Sequence, residues 1–153
     1  MKEVSTSIEI AAPPERVWSV LTDFPAHPDW NPFIRSISGQ PKPGEKLTVR
    51  IQPPGGKGMM FRPTVLEAQA NRELRWKGKL LVRGLFDGEH FFKLRPTQVG
   101  THFVHGERFS GILVALMKAS SFEQIERGFT AMNEALKRAA ERDAGADVRD
   151  LEN

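Results

Sequence analysis

The feature that most restricts this chain is one apolar stripe near its C-terminal end. Phe122, Ile125, Phe129, Met132, Leu136 and Ala139 follow spacings of three, four, three, four and three, the repeat of a single helix face. Glu123, Glu126, Arg127, Glu134, Lys137 and Arg138 occupy positions between them. A helix of about five turns with one continuous apolar face is held by what covers that face rather than by its own propensity. The preceding residues must therefore supply a surface of matching length.

They read as a sheet. From Phe33 to Phe109 the apolar period is two, punctuated by turn residues. Segments 33–37, 47–51, 61–66, 73–77, 88–94 and 101–105 each read as strands. Pro41 to Gly44, Pro53 to Gly56, Ala70-Asn71 and Pro96 to Gly100 separate them with turn chemistry. Short connections favour an antiparallel meander, and Pro63 inside a strand marks an edge or a bulge. Upstream, Val4 to Ile10 reads as a first strand stopped by Ala11-Ala12-Pro13-Pro14. A short helix follows with Val17, Trp18 and Leu21 on one stripe, and the prolines at 25, 28 and 32 cut the next segment to about one turn around Trp30. The apolar segment Ile112 to Lys118 is out of phase with the long stripe, so a kink or break is expected at Ser120-Ser121. The order strand, two short helices, six strands, long helix is α+β: a curved seven-stranded antiparallel sheet around a long C-terminal helix.

Composition closes off several kinds of chemistry. With no cysteine, disulfides, thiolate metal sites and cysteine nucleophiles are excluded. The net charge is only +3, and the two halves carry ten Lys/Arg against eight Asp/Glu and twelve against eleven. Neither half is a basic arm, which argues against nucleic acid as a partner. No apolar run reaches the roughly 18–20 residues of a membrane span, so stable membrane insertion is not expected. The N-terminal stretch lacks a signal-peptide pattern, and the expected location is cytoplasmic. Nothing in the sequence calls for a cofactor or a resident metal. Gly55-Gly56-Lys57-Gly58 lacks the Walker spacing and following Ser/Thr and reads as a hairpin loop. His27-Pro28-Asp29 lacks the flanking charged helices that would give such a tripeptide meaning. Lys77, Lys79, Arg83, Lys93 and Arg95 read as a solvated outer face.

Several segments together resemble a known family. Ile8-Glu-Ile-Ala-Ala-Pro-Pro-Glu-Arg-Val-Trp-Ser-Val-Leu-Thr-Asp-Phe24 and Pro28-Asp-Trp-Asn-Pro-Phe33 are similar to the N-terminal signature of the SRPBCC (START-like, helix-grip) superfamily, in its bacterial polyketide cyclase/dehydrase-like branch. Glu73-Leu-Arg-Trp76, residues 84–92, Glu107-Arg-Phe-Ser-Gly111 and residues 127–136 extend the match. The resemblance implies one domain over residues 1–143, with 144–153 as a polar tail, and a cavity between sheet and long helix. The superfamily includes ligand carriers and cyclases alike, so fold alone assigns no chemistry.

Strand parity suggests what would line that cavity. Leu74, Trp76 and Leu80 share one face of their strand. Gly88, His90, Phe92 and Leu94 share a face of the next, and Phe103, His105, Glu107 and Phe109 one of the last, leaving His102 outward. Polar groups at inward positions need partners, because burying one unpaired costs about 1–3 kcal/mol. Three readings stand for His90, His105 and Glu107: hydrogen bonding that holds the sheet, the polar end of a ligand pocket, or catalysis or metal binding by a two-His, one-carboxylate set. Ligand contacts are expected from Trp30 and Phe33, placed to act as gate or core, and from Trp76, Phe92, Phe103, Phe109, Met117 and Phe129. Gly128 in mid-helix costs about 1 kcal/mol against Ala and marks a close approach or a bend. The function expected first is binding of a small apolar or amphipathic molecule. The alternatives are a cyclase/dehydratase-like enzyme using His90, His105 or Glu107 for proton transfer, and a protein-interaction domain with a packed interior. Monomer and homodimer both remain open.

Overall fold

The computed structural model describes residues 1–79 and 87–151, with side chains described as far as Arg142. Leu80, Arg83 and residues 84–86 lie outside the described residues.

The chain opens with β1 (Lys2–Ile10) and turns at Ala11-Ala12. Pro13 is extended and Pro14 takes the first position of α1 (Pro14–Thr22), where a missing N–H leaves no bond unmade. A 3₁₀ turn (Phe24–Ala26) and α2 (His27–Trp30) follow. The strands are β2 (Ile34–Ser38), β3 (Thr48–Ile51), β4 (Met59–Phe61), β5 (Thr64–Gln69), β6 (Glu73–Lys79), β7 (Asp87–Pro96) and β8 (Thr101–Ser110). A second 3₁₀ turn (Ile112–Leu116) leads into α3 (Ala119–Leu151).

The α+β class and long final helix stand, but the single seven-stranded sheet does not. The strands form a five-stranded sheet, β1-β8-β7-β6-β5, and a three-stranded sheet, β2-β3-β4. Pro63 is the cause. It has no N–H to give to a ladder, so the stretch read as one strand over 61–66 becomes β4 and β5. The seam is held by the segment before β3. Leu47 N–H donates to the Pro63 carbonyl (2.9 Å), Val65 N–H to that of Glu45 (2.9 Å), and Gly44 N–H to that of Val65 (2.8 Å). Every named pairing is antiparallel, and the first strand returns to pair with the last, Ile8 opposite Phe103. The helical break also differs from expectation. Met117 is extended and α3 begins at Ala119, so Ser120-Ser121 lie in its first turn and the interruption precedes them. The helical backbone continues through Ala144-Gly145. Among the described residues, no helix is long and apolar enough to cross a membrane.

α3 packs mainly on β1 and α1. Phe129, Met132, Leu136 and Ala140 join Val17, Leu21, Phe92 and Phe103 in one core. The other face of the five-stranded sheet is not uniformly solvated. Phe91 is buried there, with Arg75, Lys93 and Arg108 at 5.6, 5.2 and 5.8 Å from its ring centre. Arg75 also pairs with Glu73 and Glu89, each at 2.7 Å. The Phe91 ring rests on Gly106, where a Cβ would overlap the ring's Cζ and stand 2.8 Å from its Cε2 and from the Val4 carbonyl oxygen. Gly106→Ala therefore forces backbone or ring to move. It should destabilise the fold by about 1–3 kcal/mol, seen as a lower urea midpoint; an unchanged midpoint would refute this account of the site.

Candidate functional site

Two different interiors lie under the sheet. The first is a closed aromatic layer. Trp76, Phe92, Phe103 and Phe129 are almost fully buried and surround His90 and His105. Trp76 stacks on His90, with centroids 5.1 Å apart, and Phe129 stacks on His105 at 4.1 Å. The second is an open cavity of about 330 Å³, lined by Phe33, Ile51, Met59 and Phe61 on one side and by Phe109, Met117 and Ile125 on the other. Gly78 and Gly88, directly opposite each other in the β6–β7 ladder, form part of its wall. Neither carries a side chain that could fill the space.

Of the residues expected to contact a ligand, Phe33, Glu107, Phe109 and Met117 line this cavity. Trp76, His90, Phe92, Phe103, His105 and Phe129 belong instead to the packed layer behind it, and Trp30, half-buried, lies against His27 at 4.9 Å. Parity gives the inward face correctly, but bulky rings fill the middle of the sheet and only the glycine-bearing end stays open. Gly128 serves a close approach, since the Phe33 ring lies where its Cβ would be.

Glu107 joins the two interiors. The β7–β8 register puts His90 opposite Glu107 and Phe92 opposite His105, so the two histidines are diagonal neighbours. His90 Nε2 lies 2.7 Å from His105 Nε2, and His90 Nδ1 lies 3.3 Å from Glu107 Oε2. His105 Nδ1 lies 2.9 Å from Asn133 Oδ1, Asn133 Nδ2 donates to Thr6 Oγ1 (2.8 Å), and the Thr6 hydroxyl donates to the His105 carbonyl (2.9 Å). The polarity follows from the far end. The Thr6 proton is committed to a carbonyl, so Asn133 must offer its NH₂ to Thr6 and its oxygen to His105. His105 Nδ1 is then the donor. Burial, reinforced by the neighbouring His90, holds His105 well below the usual imidazole range, so it is neutral and its Nε2 accepts from His90 Nε2–H. At the other end of the chain, His90 Nδ1 faces Glu107 Oε2, a contact across which imidazole and carboxyl can share a proton. The geometry thus offers an acid–base pair at the edge of an apolar cavity. Among the described residues, no group of three or more His, Asp or Glu side chains is placed to hold a metal ion.

Asn133 and Thr6 escape the strand-parity argument, although Asn133 is a polar residue beside Met132 on the apolar stripe, which is itself a signal. His102, on the other face, contacts Glu9. A separate network secures the segment that leads to Phe33 on the cavity wall. His27 Nε2–H donates to the Leu21 carbonyl (2.7 Å) and Nδ1 accepts from Asn31 Nδ2 (3.1 Å). The Asn31 oxygen accepts from the backbone N–H of Phe33 and Ile34, both at 2.9 Å. Burial lowers the His27 pKa, against the opposing pull of the Leu21 carbonyl and Asp23.

A family model described as polyketide cyclase / dehydrase and lipid transport matches residues 1–141. Among solved structures, a START superfamily protein from Mycobacterium smegmatis superposes with a TM-score of 0.72 at 20% identity, over 92% of this chain and 97% of that one. Protein MLL2253 from Mesorhizobium loti gives 0.71 at 21% identity, over 92% and 98%. The di-domain ARO/CYC StfQ from the steffimycin biosynthetic pathway gives 0.68 at 15% identity, over 94% of this chain and 51% of its own. At these identities the likeness is one of fold. No curated protein matches the chain.

The two depressed histidines fix the pH response of the fold. In the unfolded chain each binds its proton near pH 6.5, while in the folded protein each binds it only at lower pH. Stability is therefore fully present above about pH 6.5 and is lost as pH falls below it, by up to roughly 1.4 kcal/mol per pH unit for each such group. Urea titrations at stepped pH should show the midpoint falling on acidification through this window, and His27→Gln should flatten the slope. A midpoint that holds steady or rises below pH 6.5 contradicts the burial argument.

Proposed function

The chain belongs to the polyketide cyclase / dehydrase and lipid transport family within the SRPBCC superfamily, and from that premise we propose that it binds a small hydrophobic or amphipathic molecule in the cavity beside Glu107. The observation that carries this reading is the cavity itself. About 330 Å³ stays open among Phe33, Ile51, Met59, Phe61, Phe109 and Ile125, beside a layer closed by the buried rings of Trp76, Phe92, Phe103 and Phe129. A mostly apolar lining with a few polar groups, here Glu107, Lys79, Ser121 and Gln124, is the usual make-up of a small-molecule site. Met59 and Met117 on the wall can adjust to irregular shapes.

Binding to the folded state alone stabilises it. A ligand such as naphthalene at tenfold its Kd should add about 1.4 kcal/mol, a rise of about 3–6 °C in Tm for a domain of this size. Ile125→Trp, which extends an indole into the cavity, should abolish that rise while the variant stays folded. If apolar ligands leave Tm unmoved in the parent protein, the cavity is not a binding site.

A second reading rests on the Glu107–His90 pair. A base backed by a hydrogen-bonded imidazole at the edge of an apolar pocket suits proton abstraction beside a carbonyl. Glu107 would take the proton from the carbon, the electron pair would pass into the enolate, and the proton would return to carbon in the reverse step. In deuterium oxide this predicts protein-catalysed exchange of the central hydrogens of acetylacetone. The exchange should fall at least about 100-fold in Glu107→Gln. Exchange no faster than in buffer would remove the enzymatic reading.

A further inference from the structure

The hydrogen-bond chain behind Glu107 dictates what the cavity's polar end can present to a ligand. Oε2 is turned to His90 Nδ1. Oε1 is turned the other way, over Gly88, where any Cβ would overlap it. Both Glu107 and Gly88 line the cavity, and the Glu107 side chain keeps 18% of its exposure. Any proton shared with His90 Nδ1 lies on the Oε2 side whether His90 or Glu107 formally carries it, because His90 Nε2–H is already committed to His105. Oε1 is therefore an acceptor in both arrangements. A carboxyl oxygen left to accept in an apolar pocket is best matched by a neutral N–H or O–H donor. A ligand carboxylate set there would meet lone pairs with lone pairs and lose its hydration as well. Among the described residues, the other polar side chains on the wall are the half-buried Ser121 and Gln124 and one cation, Lys79, which is exposed, so that its pull on an anion is screened by water.

We infer that the cavity selects apolar molecules bearing an uncharged hydroxyl, whose O–H donates to Glu107 Oε1, and discriminates against the corresponding carboxylates. This rests on the cavity being a binding site, and it goes further by naming the polar group of the ligand and the atom that reads it. The packed layer makes the selection rigid. His105 is pinned by Asn133 and Thr6, His90 is pinned by His105 and stacked on Trp76, and so Glu107 cannot turn Oε1 away without leaving His90 Nδ1 unpartnered.

The test compares three ligands of one ring system, naphthalene, 2-naphthol and 2-naphthoate, by fluorescence titration at neutral pH. The expected order is 2-naphthol roughly tenfold tighter than naphthalene, with 2-naphthoate weaker than 2-naphthol by more than tenfold. Glu107→Gln should keep the preference for 2-naphthol, because its amide donates to His90 Nδ1 and leaves its oxygen as the acceptor. Glu107→Leu should bind naphthalene and 2-naphthol about equally. If naphthalene binds but 2-naphthol gains nothing, or if 2-naphthoate binds as tightly as 2-naphthol, the inference is wrong while the binding function stands. If none of the three binds, the function and the inference fall together. Should Glu107→Leu not fold, the order of the three ligands on the parent protein and on Glu107→Gln still decides the matter.

Discussion

Asn133 is the point at which the long helix and the sheet are locked to each other. It sits on the apolar stripe of α3, where a polar amide is tolerable only if all its hydrogen bonds are made within the protein. Its oxygen faces His105 on β8, and its NH₂ reaches Thr6 on β1, two neighbouring strands at one edge of the five-stranded sheet. Apolar packing alone leaves a helix some freedom to slide along a curved sheet. Two directional bonds to adjacent strands remove that freedom, because a shift of one residue would strand a buried amide and a buried imidazole together. The same two bonds also set the tautomer of His105, and through it the donor and acceptor ends of His90. Structural and chemical roles therefore cannot be separated here: what fixes the helix also orients Glu107.

The division of the interior follows from side-chain volume. Trp76, Phe92, Phe103 and Phe129 close the centre and shield the histidines from water, which is why His105 stays neutral. At the β4 side of the molecule the facing residues Gly78 and Gly88 remove that volume, and the cavity opens. A water-excluded polar chain beside an accessible apolar space lets a single carboxyl serve both.

Much of this could be read from residue order. The stripe from Phe122 to Ala139 announced α3, and alternation in β6, β7 and β8 put Trp76, His90, Phe92, Phe103, His105, Glu107 and Phe109 inward. The pairing of His90 with Glu107 was also within reach. The hairpin joins Pro96 to Thr101 across residues 97–100, and counting back along both strands from that turn sets 90 against 107. Two things were not legible. Whether an inward residue borders a void depends on the depth of the ring opposite, which no parity rule contains, so the aromatic layer and the cavity looked alike in sequence. Pro63 signalled an irregularity, but a bulge and a complete division into two sheets satisfy the missing N–H equally well until the segment before β3 is seen to bridge the gap.

The paired glycines separate two properties that most pockets bind together. At Gly88 a methyl group would strike the Glu107 carboxylate, so that position is tied to the polar end. At Gly78 the nearest atoms a methyl group would meet among the described residues belong to Phe61 and Pro63, at 3.4 and 3.5 Å, an ordinary contact. Capacity can therefore be trimmed at Gly78 in steps of one small side chain without disturbing the group that reads the ligand. A scaffold built this way can trade one cargo size for another along a path of single substitutions, each intermediate retaining the same polar recognition.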